Sequence, residues 1–379
     1  MHQIIFYPVG NGDSSQIILE NGKRILFDYR HLKKAEGEES PEIDLKARLK
    51  KELDDVKRDY LDIVAFTHSD SDHIENSTDF FELWYAAKYQ GNGRIKINEL
   101  WVPAAMILET ATNDQQSNEF VIWRQEARHR LKKGEGIRVF SKPDKLKDWL
   151  ESEGLTVESR KHLITDAGSI VPGFDLQNDG IEFFCHSPFI RHADEGDDLR
   201  NPCSLIFNVR LKVGINTYDY LAVGDSEWEI LEEIVSTTRY HKNDDRLAWD
   251  IFNIPHHCSY KALSDEKGEK ETEPKSLVKD LLLQGKTDAY IVISSNPIKE
   301  SKEAREQTLP PHIQAKKCYE LYLKEVNGAK ILVTMEEPNE KAPEPLVFNI
   351  ENNGIKRGAK KPVVAPAVII TSNPAPRAG

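Results

Sequence analysis

The arrangement of strand-forming runs constrains the fold of this chain most. Runs rich in β-branched and aromatic residues fall into two groups, and a mostly helical stretch lies between them at about residues 77–165. Gly- and Asn-containing turns separate the runs of the first group, which is typical of a β-meander: "QIIFYPV", "SSQIILE" and "KRILFDY". The second group comprises "IEFFCHS", "SLIFNVRLKV", "YDYLAVGD", "IFNIPHH", "DAYIVISS" and "AKILVTM". The pattern predicts an α/β protein with two strand-rich halves around a helical insertion.

Composition narrows the functional classes. The chain is 39% hydrophobic and 30% charged, and it has no apolar run of membrane-spanning length. Its start lacks a basic segment followed by an apolar one, so we expect a cytoplasmic protein without membrane contact. The net charge of -12 argues against attraction to nucleic acid over the whole surface but leaves a local basic groove open. The four cysteines lack CxxC spacing, which fits reduced thiols.

Two basic segments are candidates for such a groove, "RQEARHRLKK" at residues 124–133 and "KRGAKK" near the C-terminus. A solvated surface is the plainer interpretation of each. We expect one domain over residues 1–350 and a Pro/Ala-rich tail over residues 351–379. The helical insertion and the tail are the candidate surfaces for a protein partner.

The segment "HSDSDH", residues 68–73, directly follows the strand-like run "YLDIVAFT". Imidazole nitrogens and carboxylate oxygens that converge from one tight loop are what Zn²⁺, Mn²⁺ or Fe²⁺ sites require. The alternative is a helix N-cap made by Ser69, Asp70 and Ser71, because these residue types favour that position. A cap explains the aspartates but leaves both histidines unexplained, so the segment indicates a metal site.

Two further strand ends carry residues of the same kind. Asp225 follows a strand and a glycine in "YLAVGDSEW", and His256 and His257 follow another strand in "IFNIPHHCS". Loops at strand ends gather along one edge of a layered sheet protein, so these residues and those of "HSDSDH" are expected to meet.

In order, "GNGDSS", "ILFDY", "THSDSDH", "NPCSLIF", "LAVGD" and "IPHHCS" resemble the motifs of the metallo-β-lactamase fold superfamily. More narrowly, the chain is similar to the hydrolase domain of ComEC-like, competence-type DNA-uptake proteins, which favour HxDxDH over HxHxDH. The resemblance implies an αββα four-layer sandwich, two sheets packed face to face with helices outside, and metals on the rim between the sheets.

The resemblance also implies the roles of the site residues, which we carry over position by position. The implied metal ligands are His68, Asp70, Asp72, His73, Asp225 and His256. Asp225 would bridge two divalent ions, and His257 would support a ligand or contact the substrate, although the sequence leaves open which of the two adjacent histidines coordinates. Asp13 and Asp28 occupy the family's acidic strand-end positions and would orient ligands from behind.

Several positions depart from the family pattern. Tyr29 and Arg30 replace the usual glycines, so Arg30 is a candidate contact for an anionic substrate, together with Ser259 of "HHCS". Cys258 stands where the family has glycine. Asn201 takes the place of a third histidine, and Asp70 the place of another. The resulting oxygen-rich ligand set favours Mn²⁺ over Zn²⁺.

We therefore expect a metal-dependent hydrolase, most specifically a phosphodiesterase or nuclease that uses a metal-bridging hydroxide on nucleic acid or a nucleotide. Asp72 would orient the water or accept its proton, and His312 of "LPPHIQ" would donate a proton to the leaving oxygen. Hydrolysis of a lactone, thioester or cyclic nucleotide and a non-catalytic, partner-docking role are the alternatives. The resemblance also suggests a place in a mobile-element or phage-defence module.

Overall fold

The structure is a computed structural model that describes residues 1–37, 39–91, 93–109, 117–195 and 201–358. Its first sheet has nine strands in the order β15-β14-β1-β2-β3-β4-β5-β6-β7. These strands are β1 (His2–Phe6), β2 (Ser15–Ile18), β3 (Arg24–Phe27), β4 (Tyr60–Ala65), β5 (Lys96–Pro103), β6 (Ile137–Phe140), β7 (Ile164–Thr165), β14 (Leu346–Glu351) and β15 (Gly354–Arg357). The predicted meander is its antiparallel part, β1 to β3, and β3 to β7 run parallel.

The second sheet has six strands in the order β13-β12-β11-β10-β9-β8. They are β8 (Ile181–Ser187), β9 (Ile206–Val213), β10 (Asn216–Val223), β11 (Trp249–Asn253), β12 (Gly285–Ile293) and β13 (Lys330–Val333). Strands β8 to β10 are antiparallel and β10 to β13 are parallel. Each of the six overlaps a run that the sequence predicts as a strand, and β10, β11 and β12 begin two or three residues before theirs.

Three apolar clusters define the layers. The middle cluster joins the facing surfaces of the two sheets, for example through Phe27, Phe183 and Phe207. A second cluster packs helices against the outer face of the first sheet, and a third does so for the second sheet. The predicted αββα four-layer sandwich is confirmed.

The helices of the described residues vary from single turns to 16 residues. They are α1 (Leu45–Asp54), α2 (Ser71–Ile74), α3 (Ala104–Leu108), α4 (Asn118–Lys133), α5 (Asp144–Ser152), α6 (Val157–Arg160), α7 (Ile190–Glu195), α8 (Trp228–Tyr240), α9 (Ser276–Leu282), α10 (Lys302–Glu306) and α11 (Ile313–Glu325). Helices α1, α4 and α5 cover the first sheet, and α8, α9 and α11 cover the second. None of these helices has the combined length and apolar character needed to cross a bilayer.

The strands cross two predicted boundaries, those of the helical insertion and of the C-terminal tail. The stretch at 77–165 contributes β5, β6 and β7 to the first sheet, so it is an extension of that sheet with helices between its strands. At the other end, β15 lies within the predicted tail of residues 351–379, and the sheet continues through Arg357. The rest of that tail, residues 359–379, lies outside the described residues.

Candidate metal centre

The loops that follow six strand ends meet at one edge of the sandwich. Because β3 and β4 are parallel, Asp28 and the loop after Ala65 leave the first sheet at the same edge. Strands β10, β11 and β12 are parallel too, so Asp225, His257 and Ser294 leave the second sheet together. The loop after β1 adds a final carboxylate. One group of ligand-type atoms that lie within 4.8 Å of one another belongs to Asp13, His73, Asp225 and His257, and a second to His68, Asp72 and His73.

Three buried imidazoles share one arrangement. The Nδ1 atom of His73 lies 2.7 Å from Asp28 Oδ2, that of His257 lies 2.9 Å from the Ser294 carbonyl oxygen, and that of His68 lies 3.1 Å from Thr67 Oγ1. Because Nδ1 of each ring faces such a partner, Nε2 of each ring points to the space between the three histidines and Asp225. Histidines that bind a metal are held in this way, with the second ring nitrogen bonded to a carboxylate, carbonyl or hydroxyl.

Asp225 lies at the centre of the group. Its Oδ1 atom is 3.2 Å from His73 Nε2, and its Oδ2 atom is 3.4 Å from His257 Nε2 and 4.0 Å from His68 Nε2. The Nε2 atoms of His68 and His73 and Oδ1 of Asp225 are buried and have no hydrogen bond among the described residues. Buried polar atoms that make no hydrogen bond are costly, and a divalent cation would ligate all three. The donor set fits a metal.

The protonation of these histidines and of Asp225 depends on their burial and on how close they lie to one another. Burial lowers the pKa of His68 to about 3, so this imidazole is neutral at physiological pH. Burial also acts to lower the pKa of His73 and of His257, but the carboxylates beside them outweigh it and raise both pKa values well above the ordinary range. The same ion pairs hold the pKa of Asp225 well below its ordinary value despite burial.

The two adjacent histidines point to different places. The prediction assigned coordination to His256 and a supporting role to His257. In the structure His257 is 2% exposed and belongs to the central group, whereas His256 Nε2 lies 3.9 Å from Asp225 Oδ2 and its side chain is 20% exposed. The backbone at His256, His257 and Cys258 has φ values of 53°, 51° and 68°, a left-handed run that costs non-glycine residues free energy. The Cys258 value explains why glycine suits that position.

The other predicted ligands lie around this group. Asp72 Oδ2 is 3.1 Å from His257 Nε2, and the pKa of Asp72 is lowered by His257 and His73 against the opposing effect of burial. Asp70 precedes α2 at its N-cap position, but its side chain does not cap the helix; Oδ2 lies 3.7 Å from His68 Nε2. The helix-cap alternative is therefore right about position and wrong about the contact.

Asp13 and Asn201, two further residues singled out in the sequence, differ in their contacts. Asp13, predicted to orient ligands, is itself one of the four residues of the central group, and its Oδ1 atom accepts a bond of 3.4 Å from Asn253. Asn201 begins a short helical turn, and its backbone carbonyl oxygen accepts a hydrogen bond from the hydroxyl of Ser226, the neighbour of Asp225. Its own Oδ1 is buried and has no hydrogen bond among the described residues.

The predicted substrate contacts are mostly engaged within the protein. Arg30 Nε pairs with Glu75 at 3.2 Å, and its Nη1 donates to the Val9 carbonyl oxygen at 2.9 Å. Ser259 is 2% exposed and its hydroxyl accepts from the Lys261 amide. The surrounding fold thus uses both side chains to hold loops in place.

His312 is buried at the N-cap of α11. Its Nδ1 accepts from the Tyr260 amide at 3.4 Å, which places the ring proton on Nε2, and Nε2 makes no hydrogen bond among the described residues. Burial lowers the pKa of His312 to about 4, against the opposing effect of the nearby Thr308 carbonyl. At neutral pH the ring is uncharged and suited to donating a hydrogen bond.

The arginines of α4, a candidate basic segment, make hydrogen bonds within the protein. Arg128 donates from Nε and Nη2 to the Ile107 carbonyl oxygen, and Arg124 donates to that of Glu109. Arg130 is 0% exposed and forms an ion pair with Glu126 at 2.6 Å. Lys316 and Lys317 of α11 are paired with Glu336 and Glu300. The helical periodicity of the sequence alone does not reveal that the arginines of α4 bond to groups of the protein.

Sequence reasoning missed two positioning residues. Thr67 donates to Asp28 and contacts His68, and its place directly before "HSDSDH" was the available signal. Asn11 of "GNGDSS" joins three loops: Nδ2 donates to the Pro310 carbonyl oxygen at 2.9 Å, and Oδ1 accepts from the Asn296 amide at 2.8 Å. Nothing in the sequence around Asn11 indicates these distant partners.

No protein-family model matches the chain, and no curated protein matches it. Several solved structures match. The metallo-β-lactamase GOB-18 from Elizabethkingia meningoseptica has 14% identity over 85% of this chain and 86% of its own, with a TM-score of 0.30. A diphosphatase of the PhnP family has 10% identity over 93% and 98%, with a TM-score of 0.34. The class B3 di-zinc metallo-β-lactamase LRA-12 from an Alaskan soil metagenome has 12% identity over 68% and 79%, with a TM-score of 0.30.

At these identities and TM-scores the matches assign no activity to this chain. The resemblance to the metallo-β-lactamase superfamily rests on the six motifs, and the fold it implied is the fold observed. The narrower similarity to ComEC-like domains stays a prediction.

Proposed function

We propose that this protein is a metal-dependent hydrolase that cleaves phosphodiesters. The observation that supports it is the arrangement of three buried imidazoles with their Nε2 atoms turned toward Asp225, each ring held from behind by its own partner. A scaffold would gain nothing from gathering so many buried imidazoles and carboxylates at one point.

His68, Asp72, His73, Asp225 and His257 would hold one or two divalent ions, and Asp13 is close enough to join them. Bound there, such ions supply a water of lowered pKa and positive charge to hold the oxygens of the reacting group. The carboxylates of Asp13, Asp72 and Asp225 supply oxygen ligands, which favour Mn²⁺. The bound ions would in turn offset the charge of a phosphate substrate.

Three residues have proposed roles at the substrate. Asp72 is ionised at neutral pH, since its pKa is lowered, so it can orient water or accept a proton but cannot donate one. His312 would give a hydrogen bond from Nε2 to a substrate oxygen; as a neutral ring it is a weak acid. His257 is better placed to bind the metal than to transfer protons.

The test is hydrolysis by purified protein loaded with Mn²⁺ or Zn²⁺. The substrates are bis-p-nitrophenyl phosphate, single-stranded, double-stranded and plasmid DNA, and a p-nitrophenyl ester. We expect Asp225→Asn and His257→Ala to lose bound metal and diester cleavage, and exposed Asp54→Asn to keep both. Ester cleavage without diester cleavage would support the alternative hydrolase, and retention of metal by both site variants would refute the assigned centre. A place in phage defence stays a prediction.

A further inference from the structure

A groove opens beside the candidate metal centre. It has a volume of about 690 Å³ and lies between Asn11 and the segment at residues 296–311. Much of its lining is apolar: Pro297, Ile298, Ala304, Leu309, Pro310 and Pro311. Leu309 in this lining is 75% exposed. The groove has a size that small-molecule sites commonly have.

Three chain segments connect the groove to the metal centre. Asn11 in the groove precedes Asp13 by two residues, Asn296 follows Ser294 by two residues, and Pro311 directly precedes His312. Two residues span at most about 7 Å. The Asn11 side chain bonds to both of the other segments, so it fixes the groove wall and the metal-centre loop relative to each other.

His312 marks the passage between the two regions. On one side its ring is close enough to His256 for that histidine to lower its pKa, and on the other it is influenced by the carbonyl of Thr308, which lines the groove. Nε2 is buried and has no hydrogen bond among the described residues. Nε2 of His312 is thus a candidate hydrogen-bond donor to an oxygen that lies between the groove and the metal centre.

The charge of the lining limits what the groove can hold. Its one lysine, Lys299, forms an ion pair with Glu340, and the lining includes the carboxylate of Glu303. The lining side chains therefore present no unpaired cation to a second phosphate, which a polynucleotide strand would bring with each residue, and the nearby Lys267 donates to the Gln307 carbonyl oxygen at 2.9 Å. Proline and leucine surfaces suit a flat, uncharged ring instead.

We propose that this groove binds the nucleoside of a small nucleotide diester, with its phosphate at the metal centre and its bridging oxygen beside His312. The inference rests on the proposed phosphodiesterase function and narrows it from nucleic acids to single nucleotides. The nucleoside supplies binding energy away from the reacting phosphorus, so the groove sets specificity.

The test compares two diesters with the same leaving group, thymidine 5′-p-nitrophenyl phosphate and methyl p-nitrophenyl phosphate. Ala304→Trp fills the groove from α10, and Lys302→Trp, on an 81% exposed side chain of the same helix, is the matched control. We expect Ala304→Trp to raise the KM for the thymidine diester about tenfold or more and to change the KM for the methyl diester less than about twofold. Lys302→Trp should change neither. Equal effects on both diesters, or no effect on either, would overturn the groove assignment.

A binding experiment separates this inference from the proposed function. Equilibrium dialysis of labelled thymidine, which has no phosphate, tests the groove without catalysis. Thymidine binding that Ala304→Trp weakens, in a protein that cleaves no diester, would retain the nucleoside site and refute the hydrolase. Diester cleavage without thymidine binding to wild-type protein would do the opposite.

Discussion

At the scale of single residues, Thr67 connects the parts of the candidate metal centre. Its hydroxyl donates to Asp28 Oδ2 at 2.6 Å and lies 3.1 Å from His68 Nδ1 and 3.3 Å from His73 Nδ1. Since the hydroxyl proton goes to Asp28, the oxygen can accept the Nδ1 proton of His68. One side chain thus fixes which nitrogen of His68 faces the metal volume.

Thr67→Val keeps the shape of the side chain and removes this hydroxyl. We expect the affinity for Mn²⁺ or Zn²⁺ to fall about 10- to 100-fold, because His68 loses the partner that fixes its tautomer. Thr67→Ser should restore most of the affinity. Chelator competition measures both variants. Equal affinity of the valine and serine variants would show that the hydroxyl does not matter.

The buried His186 on β8 should make the folded protein less stable at acid pH. Its Nε2 donates to the Arg246 carbonyl oxygen at 3.0 Å, and burial lowers its pKa from 6.5 to about 4. The unfolded chain therefore takes up a proton that the folded protein does not, so stability is complete above about pH 6.5 and falls as the pH drops toward 4.

For one proton this loss amounts to about 1.4 kcal/mol per pH unit. His186→Gln should make the free energy of unfolding less dependent on pH between 6.5 and 4 by about this slope. Urea denaturation of metal-free protein at several pH values measures it. Parallel pH curves for wild type and variant would contradict the assignment.

The sequence was informative about residue types and less so about side-chain direction. Asp72, His73 and Asp225 meet as the motifs predicted, because strand ends fix their place. Which of His256 and His257 turns inward depends on a left-handed run of backbone that no residue preference announces. Asp13 lies in the central group for a similar reason, since the contacts of its loop come from residues far along the chain.

At the scale of elements, α4 shows how a basic helix can be wholly structural at its arginines. Arg128 holds the end of α3 through Ile107, and its guanidinium lies 5.5 Å from the Trp149 ring centre. Arg130 lies 3.9 Å from the centre of the Trp84 ring and donates to two carbonyl oxygens. The side chains thereby satisfy backbone groups at the border between helix and sheet.

Arg130→Met should lower the free energy of unfolding by about 3–5 kcal/mol, because Glu126 would keep a buried charge without its partner. Lys132→Met, on the exposed side of the same helix, should cost about 1 kcal/mol or less. Chemical denaturation of both variants tests the contrast. Equal costs would mean that Arg130 is not the buried partner of Glu126.

Periodicity predicted the helix but not the direction of its charges. Long cationic side chains occur on both faces of α4. Only the tertiary contacts, such as those with Trp84 and with backbone carbonyl oxygens, show which of them are buried. The strands were easier to predict, since β-branched runs bounded by turns are local signals. The strand pair β14–β15 was missed because its residues adjoin a Pro/Ala-rich stretch that dominated the composition there.

At the scale of the whole molecule, β14 extends the first sheet beyond β1 and packs against the second sheet. It pairs with β1, and its Phe348 packs edge-on against Phe6 of the first sheet and Tyr290 of the second. Phe348 is 0% exposed. A segment close to the predicted tail therefore belongs to the central apolar cluster.

Phe348→Ala should cost about 3–5 kcal/mol of stability, the range for large buried aromatic side chains. Ile215→Ala, at a side chain that is 91% exposed, should change stability by less than about 0.5 kcal/mol. Thermal or urea unfolding distinguishes them. A mild effect of Phe348→Ala would mean that β14 packs loosely on the rest of the sandwich.

The pairing of β1 with β14 also affects how the chain is made. Gln3 and Asn349 hydrogen-bond across 346 positions of sequence, so a ribosome completes all three strand-end motifs of the metal centre before it supplies β14, the second neighbour of β1. Throughout that interval β1 presents an unpaired edge in a nascent chain. Contacts of such long range form slowly. Residues 2–6 therefore expose a strand edge for most of the synthesis of the chain.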